Sequence, residues 1–150
     1  MASTTAAGTG FAISAGVPSG QTITAYEALT YTEVNNVEQL GGFGASTAEV
    51  TFQPLRGPEQ AHKGPTSYGS LNPTMAVDDL DAGQALMVTA SAPTNNALYA
   101  FKVTKPDGSL RFFQARVFGM PETVGAANSM ITAAPTVRIN TEVLKKPAPV

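Results

Sequence analysis

Cysteine and tryptophan are absent from this chain, and histidine occurs once. Without a thiol there is no disulfide framework and no thiolate chemistry, so nothing requires an oxidising compartment and a reducing cytoplasm suits the chain. Charge is scarce as well: 13% of residues are Asp, Glu, Lys or Arg, and the net charge is −2. That balance leaves no basic footprint for gripping nucleic acid by its phosphates and disfavours tight DNA binding. No apolar run approaches the roughly 20 residues of a membrane-spanning helix. The segment from Met1 to Gly10 has no basic region followed by an apolar one and does not read as a signal peptide. Asn72-Pro73-Thr74 comes nearest to a glycosylation acceptor, and its central proline excludes it. The chain reads as soluble and intracellular when made.

Chemical motifs are equally sparse. His62, between Gln60 and Lys63, has no cysteine or second histidine to share a metal, whereas zinc sites want three or four ligands. Asp78, Asp79 and Asp81 are too few for a calcium loop of the EF-hand kind, whose twelfth position, counted from Asp79, falls on Ala90 rather than a glutamate. Helix capping accounts for these acids better. Gly41-Gly42-Phe43-Gly44 lacks the lysine and spacing of a phosphate loop and reads as a turn, and no Gly-x-Ser-x-Gly elbow is present. The sequence predicts no catalytic site, no cofactor and no metal.

What is present is turn-rich β sequence. The 150 residues are one domain's worth, enough to bury roughly 70% of the unfolded surface. Abundant Gly, Pro, Ala, Ser and Thr with few charges fits an all-β protein that hides surface in an assembly. Residues 29–34 read as a strand that breaks at the glycines of 41–44. Residues 97–118 read as a hairpin about Pro106-Asp107-Gly108, where proline fixes φ for the turn and glycine takes the positive φ that follows. By period two, Tyr99, Phe101 and Val103 share a face, Arg111, Phe113, Ala115 and Val117 another, and Leu110, Phe112, Gln114, Arg116 and Phe118 the opposite one. Aromatics on both sides of the second strand imply that one of those faces is covered, by a neighbouring subunit or by the helix. Residues 136–143 alternate strictly, with Val137, Ile139 and Val143 inward.

One helix is predicted over residues 81–91. Asp81 caps its first turn while Gln84 reaches back, Ala82, Ala85, Leu86 and Thr89 form its stripe, and Pro93 stops it. The predicted fold is mainly β, a β-sandwich or flattened barrel with one short α-helix, a long loop between strands, and extended arms. The arms are residues 1–22, small and polar, and residues 145–150, which proline keeps out of a sheet. Either could be a simple frayed end. The domain between them spans residues 23–144.

The most telling segment lies inside it. A strand-like Ala48-Glu49-Val50-Thr51-Phe52 runs into a Gly/Pro-rich excursion over residues 53–72 that holds Leu55, Tyr68 and Leu71 among its turn formers. Compact domains rarely carry so long a loop without a use for it, although disordered insertions are common. With the strand from Tyr31 to Val37, the Glu49-Val50-Thr51 strand, Leu55 and Gly57 opening the loop, Gly69 and Leu71 closing it, the Asp81-Ala82-Gly83-Gln84 helix start and the hairpin from Ala97 to Phe118, the chain resembles the tail tube (major tail) protein of long-tailed, non-contractile-tail phages. The likeness covers most of residues 26–143 and is one of pattern.

That resemblance implies a structural virion protein, made in the host cytoplasm, whose rings, hexameric in the family, stack into a tube that conducts DNA. It implies as partners other copies of the chain, a tail terminator, tail tip or initiator proteins, a tape measure protein, and DNA transiently in the lumen. It implies arms ordered against neighbours, and a loop reaching the adjacent ring with Arg56, Glu59, Lys63 and Tyr68 as candidate contacts. Lys63, Lys102, Lys105, Arg111, Arg116 and Arg138 are then expected in subunit contacts or on the outer face, or balanced in the bore by acids such as Glu33, Glu49 or Glu122. Two other readings stand beside it. One is a related ring former, a tail terminator or the tube protein of an injection system. The other is a glycan-binding β-sandwich, disfavoured because such modules display clustered aromatics and this chain has four tyrosines, well separated, and no tryptophan.

Overall fold

The structure is a computed structural model and describes residues 5–148. Its elements begin with β1 (Gly10–Ser14), α1 (Ile23–Glu27), β2 (Thr32–Glu33), β3 (Val37–Gln39), β4 (Ser46–Phe52) and β5 (Gln60–Ser67). They continue with β6 (Ser70–Leu71), β7 (Thr74–Ala76), α2 (Ala82–Ala90), β8 (Tyr99–Thr104) and β9 (Leu110–Val117). The last are β10 (Glu122–Thr123), β11 (Thr132–Ala133), β12 (Val137–Ile139) and β13 (Leu144–Lys146). Every pairing is antiparallel. A seven-stranded sheet runs β2-β1-β8-β9-β12-β6, with β13 also on β9, and a four-stranded sheet runs β10-β11-β7-β3. The architecture is sandwich-like, and neither sheet closes into a barrel.

The central hairpin follows from its own sequence. Gly108 has φ 93°, its N–H donates to the Lys105 carbonyl at 2.9 Å, and the resulting register sets Phe101 opposite Phe113 and Tyr99 opposite Ala115. Phe11, Phe101 and Phe113 stack in series with ring centroids 5.5 Å apart. Around them the main core gathers Ile13, Leu71, Met75, Met87, Val117, Ala133, Val137 and Ile139 from both sheets and α2. Burying each large side chain contributes about 1.5–3 kcal/mol, which makes this layer the principal source of stability.

The other face of β9 is covered by α1, a helix the sequence did not announce. Five residues are too few to show a helical period, and the signal is the cap: the Thr22 hydroxyl accepts from the Ala25 N–H at 3.2 Å. Tyr26, fully buried, stacks on Phe112 at 5.6 Å. Lys102 lies 5.1 Å from the Tyr31 ring, whose hydroxyl donates to the Tyr26 carbonyl; burial, with the neighbouring Tyr26, pushes the Tyr31 phenol up. The cover expected on this face therefore comes from within the chain.

Both terminal segments were expected as arms, and both hold strands. Phe11 and Ile13 of β1 are buried between β2 and β8, because a short run with two large apolar residues at period two is enough when neighbours lie on either side. Leu144–Lys146 adds to β9, ahead of the prolines, and Lys146 forms a 2.8 Å ion pair with Glu27. The folded unit therefore starts at β1 and ends at β13. Residues 1–4 and 149–150 of the two expected arms lie outside the described residues.

Two more expectations need correction. The strand from Tyr31 to Val37 is split into β2 and β3 by Asn36, whose φ of 63° bends the chain. Helix α2 also packs on a face one position away from the expected stripe: Gly83, Gln84, Met87 and Ala90 are buried while Ala82, Ala85 and Thr89 are exposed. The reason is close approach. A Cβ on Gly83 would stand 2.2 Å from the Glu33 carbonyl oxygen, so only glycine lets the helix lie against β2. Gln84 does not complete a capping box. Its amide donates to the carbonyls of Asn35 and Ala76 and its Oε1 accepts from Asp78 N–H, which ties the helix start to the ends of β2 and β7.

Asp81 does cap α2, accepting from Gln84 N–H at 3.2 Å and from the Asn35 side-chain amide at 2.7 Å. Burial works to raise its pKa, and the hydrogen bonds from Asn35 and Gln84 outweigh it, leaving the carboxyl below the ordinary value. A carboxyl depressed in the folded state adds stability above its unfolded pKa and loses it as pH falls through the folded one. Asp81→Ala should accordingly cost about 1 kcal/mol at neutral pH. In urea melts the difference from wild type should shrink as the medium is acidified below pH 4 or so.

Candidate assembly surfaces

The excursion expected as a loop is mostly hairpin. Strands β4 and β5 pair as a separate two-stranded sheet, with Phe52 opposite Gln60, Val50 opposite His62 and Glu49 opposite Lys63. The sequence hid this because Pro65 and Gly64 sit inside β5, residues that argue against a strand except at an edge or irregularity. Here the partner register shifts between Thr47 and Glu49, and the Val50 methyl lies over Gly64. Only residues 53–59 form the connection. The Gln53 side-chain amide donates to the carbonyls of Pro54 and Gly57, both at 3.1 Å, and so staples the tip.

This hairpin has no core of its own and joins neither larger sheet. Every residue of β4 is exposed, and in β5 all but Gly64. Val50 and Phe52 share one face at 50% and 58% exposure, and Leu55 at the tip is fully exposed. A lone two-stranded hairpin is marginal in water. At its base Gly69, with φ 84°, places its missing Cβ 3.1 Å from the Gly44 carbonyl oxygen, so the two legs meet where a side chain would not fit.

The four candidate contacts divide. Arg56 and Glu59 lie in the tip and Lys63 on β5, all exposed on the projecting hairpin. Tyr68 is half-buried and packs against the main core, beyond the hairpin's foot. Its apolar body is used within the subunit, which sets it apart from the other three. Sequence reasoning passed over Val50 and Phe52, whose period-two spacing in a strand with no buried face was the available signal.

A second surface lies elsewhere. Residues 121–131, including β10 at the edge of the smaller sheet, are exposed throughout, and Val124, Met130 and Ile131 stand out at 74%, 72% and 46% exposure. Between this edge and α2 is a groove of about 240 Å³.

Among the described residues no three His, Cys, Asp or Glu side chains gather as a metal site would require. His62 Nε2 lies 3.4 Å from Gln60 Oε1 on the outside of β5. Among the basic side chains, Arg111 donates to the Leu110 carbonyl and Arg116 to the Asn96 carbonyl, while Lys102 sits over Tyr31. No helix among the described residues is long and apolar enough to cross a membrane.

Comparison with known proteins gives a fold. No protein-family model matches the chain, and no curated protein does. A cryo-EM structure of the sheath/tube terminator of an extracellular contractile injection system, PVC, in its extended state, is similar with a TM-score of 0.65. The superposition covers 91% of this chain and 93% of that one at 9% identity. The shared fold spans nearly the whole of both chains.

Proposed function

We propose that this chain is a structural ring-forming protein of a phage tail or tail-like particle, whose rings stack into a tube that conducts DNA. The observation that carries the proposal is the hairpin of β4 and β5: it projects from the sandwich with Val50, Phe52 and Leu55 in water and gains its missing burial only in a complex. Stacked copies supply that burial. The tail tube resemblance in the sequence and the fold shared with an injection-system terminator support the same reading. Hexameric rings, tail tip, initiator and tape measure partners, and a place in the virion are inferred from that resemblance.

The terminator fold favours a second reading, a single ring that closes a tube rather than building it. The two separate by growth. In sedimentation velocity over a concentration series, a tube protein should give an open-ended distribution of species, and a terminator one species of fixed ring mass. A monomer at every concentration contradicts both.

A conduit must not hold what it conducts. Each phosphate neutralised by Lys or Arg releases counterions and strengthens binding, so a basic bore would trap DNA at ring after ring. With a net charge of −2 per chain, the assembled form should bind duplex DNA weakly or not at all at physiological salt. A filter-binding titration checks this, and submicromolar affinity would favour a DNA-gripping role.

A further inference from the structure

We infer that the groove between α2 and β10 is the socket for the hairpin tip of a second copy of this chain. The inference rests on the assembly reading above and names the contact it needs. The groove is lined by Val77, Asp78, Asp79, Val88, Met120 and Glu122 among others, and no lysine, arginine or histidine is among its lining residues. Asp78 spends one oxygen on the Leu80 N–H, while the side chains of Asp79 and Glu122 are exposed and have no hydrogen-bond or ion-pair partner among the described residues. Its walls therefore combine an apolar floor with unmatched negative charge. The volume, about 240 Å³, equals roughly eight waters at about 30 Å³ each, which suits a side chain or two and little more.

The tip of the hairpin offers the complement. Leu55 and Arg56 stand side by side at its apex, and Leu55 is fully exposed, so the tip does not fill the groove of its own chain. An aliphatic anchor in an apolar pocket, with an arginine set against carboxylates beside it, is the arrangement that gives both affinity and orientation at an interface. Because tip and groove are different surfaces, their union is head-to-tail, the kind of contact that propagates into rings or filaments.

The absence of native cysteine makes the contact directly testable. Leu55→Cys and Val88→Cys both lie at exposed positions, at 106% and 55% exposure, and should leave the fold intact. Mixed, co-assembled and oxidised, the two single variants should form a disulfide-linked dimer on non-reducing gels, with neither doing so alone. Arg56→Glu should abolish assembly, and Asp79→Lys in the same chain should restore it. Dimers from Leu55→Cys alone would show a tip-to-tip contact and overturn the socket. Absence of the mixed dimer from particles that do assemble would also overturn it, and would leave the assembly reading standing. A wild-type chain that stays monomeric would overturn both.

Discussion

Removing residues 47–66 and joining Ser46 to Ser67 through an Asn-Gly turn should yield a folded protein whose rings no longer stack at any concentration. Ser46 and Ser67 are directly opposed in the β4–β5 register, so two residues in a type I′ turn close the gap. No residue removed is buried, and Tyr68, which packs on the core, stays. The shorter connection lowers the loop-closure cost by about 1–2 kcal/mol, so the melting temperature should hold or rise slightly. Stacking is affected in the opposite sense, because Val50, Phe52 and Leu55 leave together. Circular dichroism and light scattering on the same sample separate the two effects. Particles of normal size from the shortened chain would show that the hairpin is not the assembly element.

Gly83→Ala should destabilise the subunit by about 3 kcal/mol, against the intrinsic preference of a helix interior for alanine of about 1 kcal/mol. Packing decides the sign. The new Cβ would meet Glu33 O at 2.2 Å, with Glu33 C and Val34 Cα both at 2.7 Å. All three are backbone, so no side chain can swing aside. Relief requires α2 to lift from β2, which also stretches the Gln84 bonds to Asn35 and Ala76 and loosens Met87 in the core. For a domain of this size each kcal/mol shifts the midpoint by roughly 2–4 °C, which puts the expected drop near 10 °C. A variant as stable as wild type would mean that α2 sits farther from β2 than described.

The parts legible in the sequence were those whose signal is local. The hairpin of β8 and β9 announced itself through Pro106-Asp107-Gly108 and aromatics at period two, and its faces fell as read. The inward placement of Val137 and Ile139 and the Asp81 cap were equally local. The parts missed depend on partners distant in sequence. Gly10–Ser14 becomes a central strand only because β8 takes one of its edges and β2 the other, and α1 is held less by propensity than by Tyr26 sitting on Phe112. The offset of the α2 face came from Gly83, whose role is set by a β2 backbone fifty residues earlier in the chain. Of the apolar residues read in 53–71, Leu55 is exposed while Tyr68 and Leu71 pack on the main core, and Pro65 and Gly64 concealed that most of the segment is a hairpin. The groove that faces the tip in our inference is assembled from residues 77–88 and 120–122, a juxtaposition no local pattern reveals.

The central claim is that copies of this chain close into rings, and negative-stain electron microscopy of the purified protein tests it most directly. Annular particles with a central hole are expected, seen end-on as rings and, where stacking proceeds, side-on as striated tubes. A field of single small particles at every concentration and salt tried, from protein that is folded by circular dichroism, would contradict it.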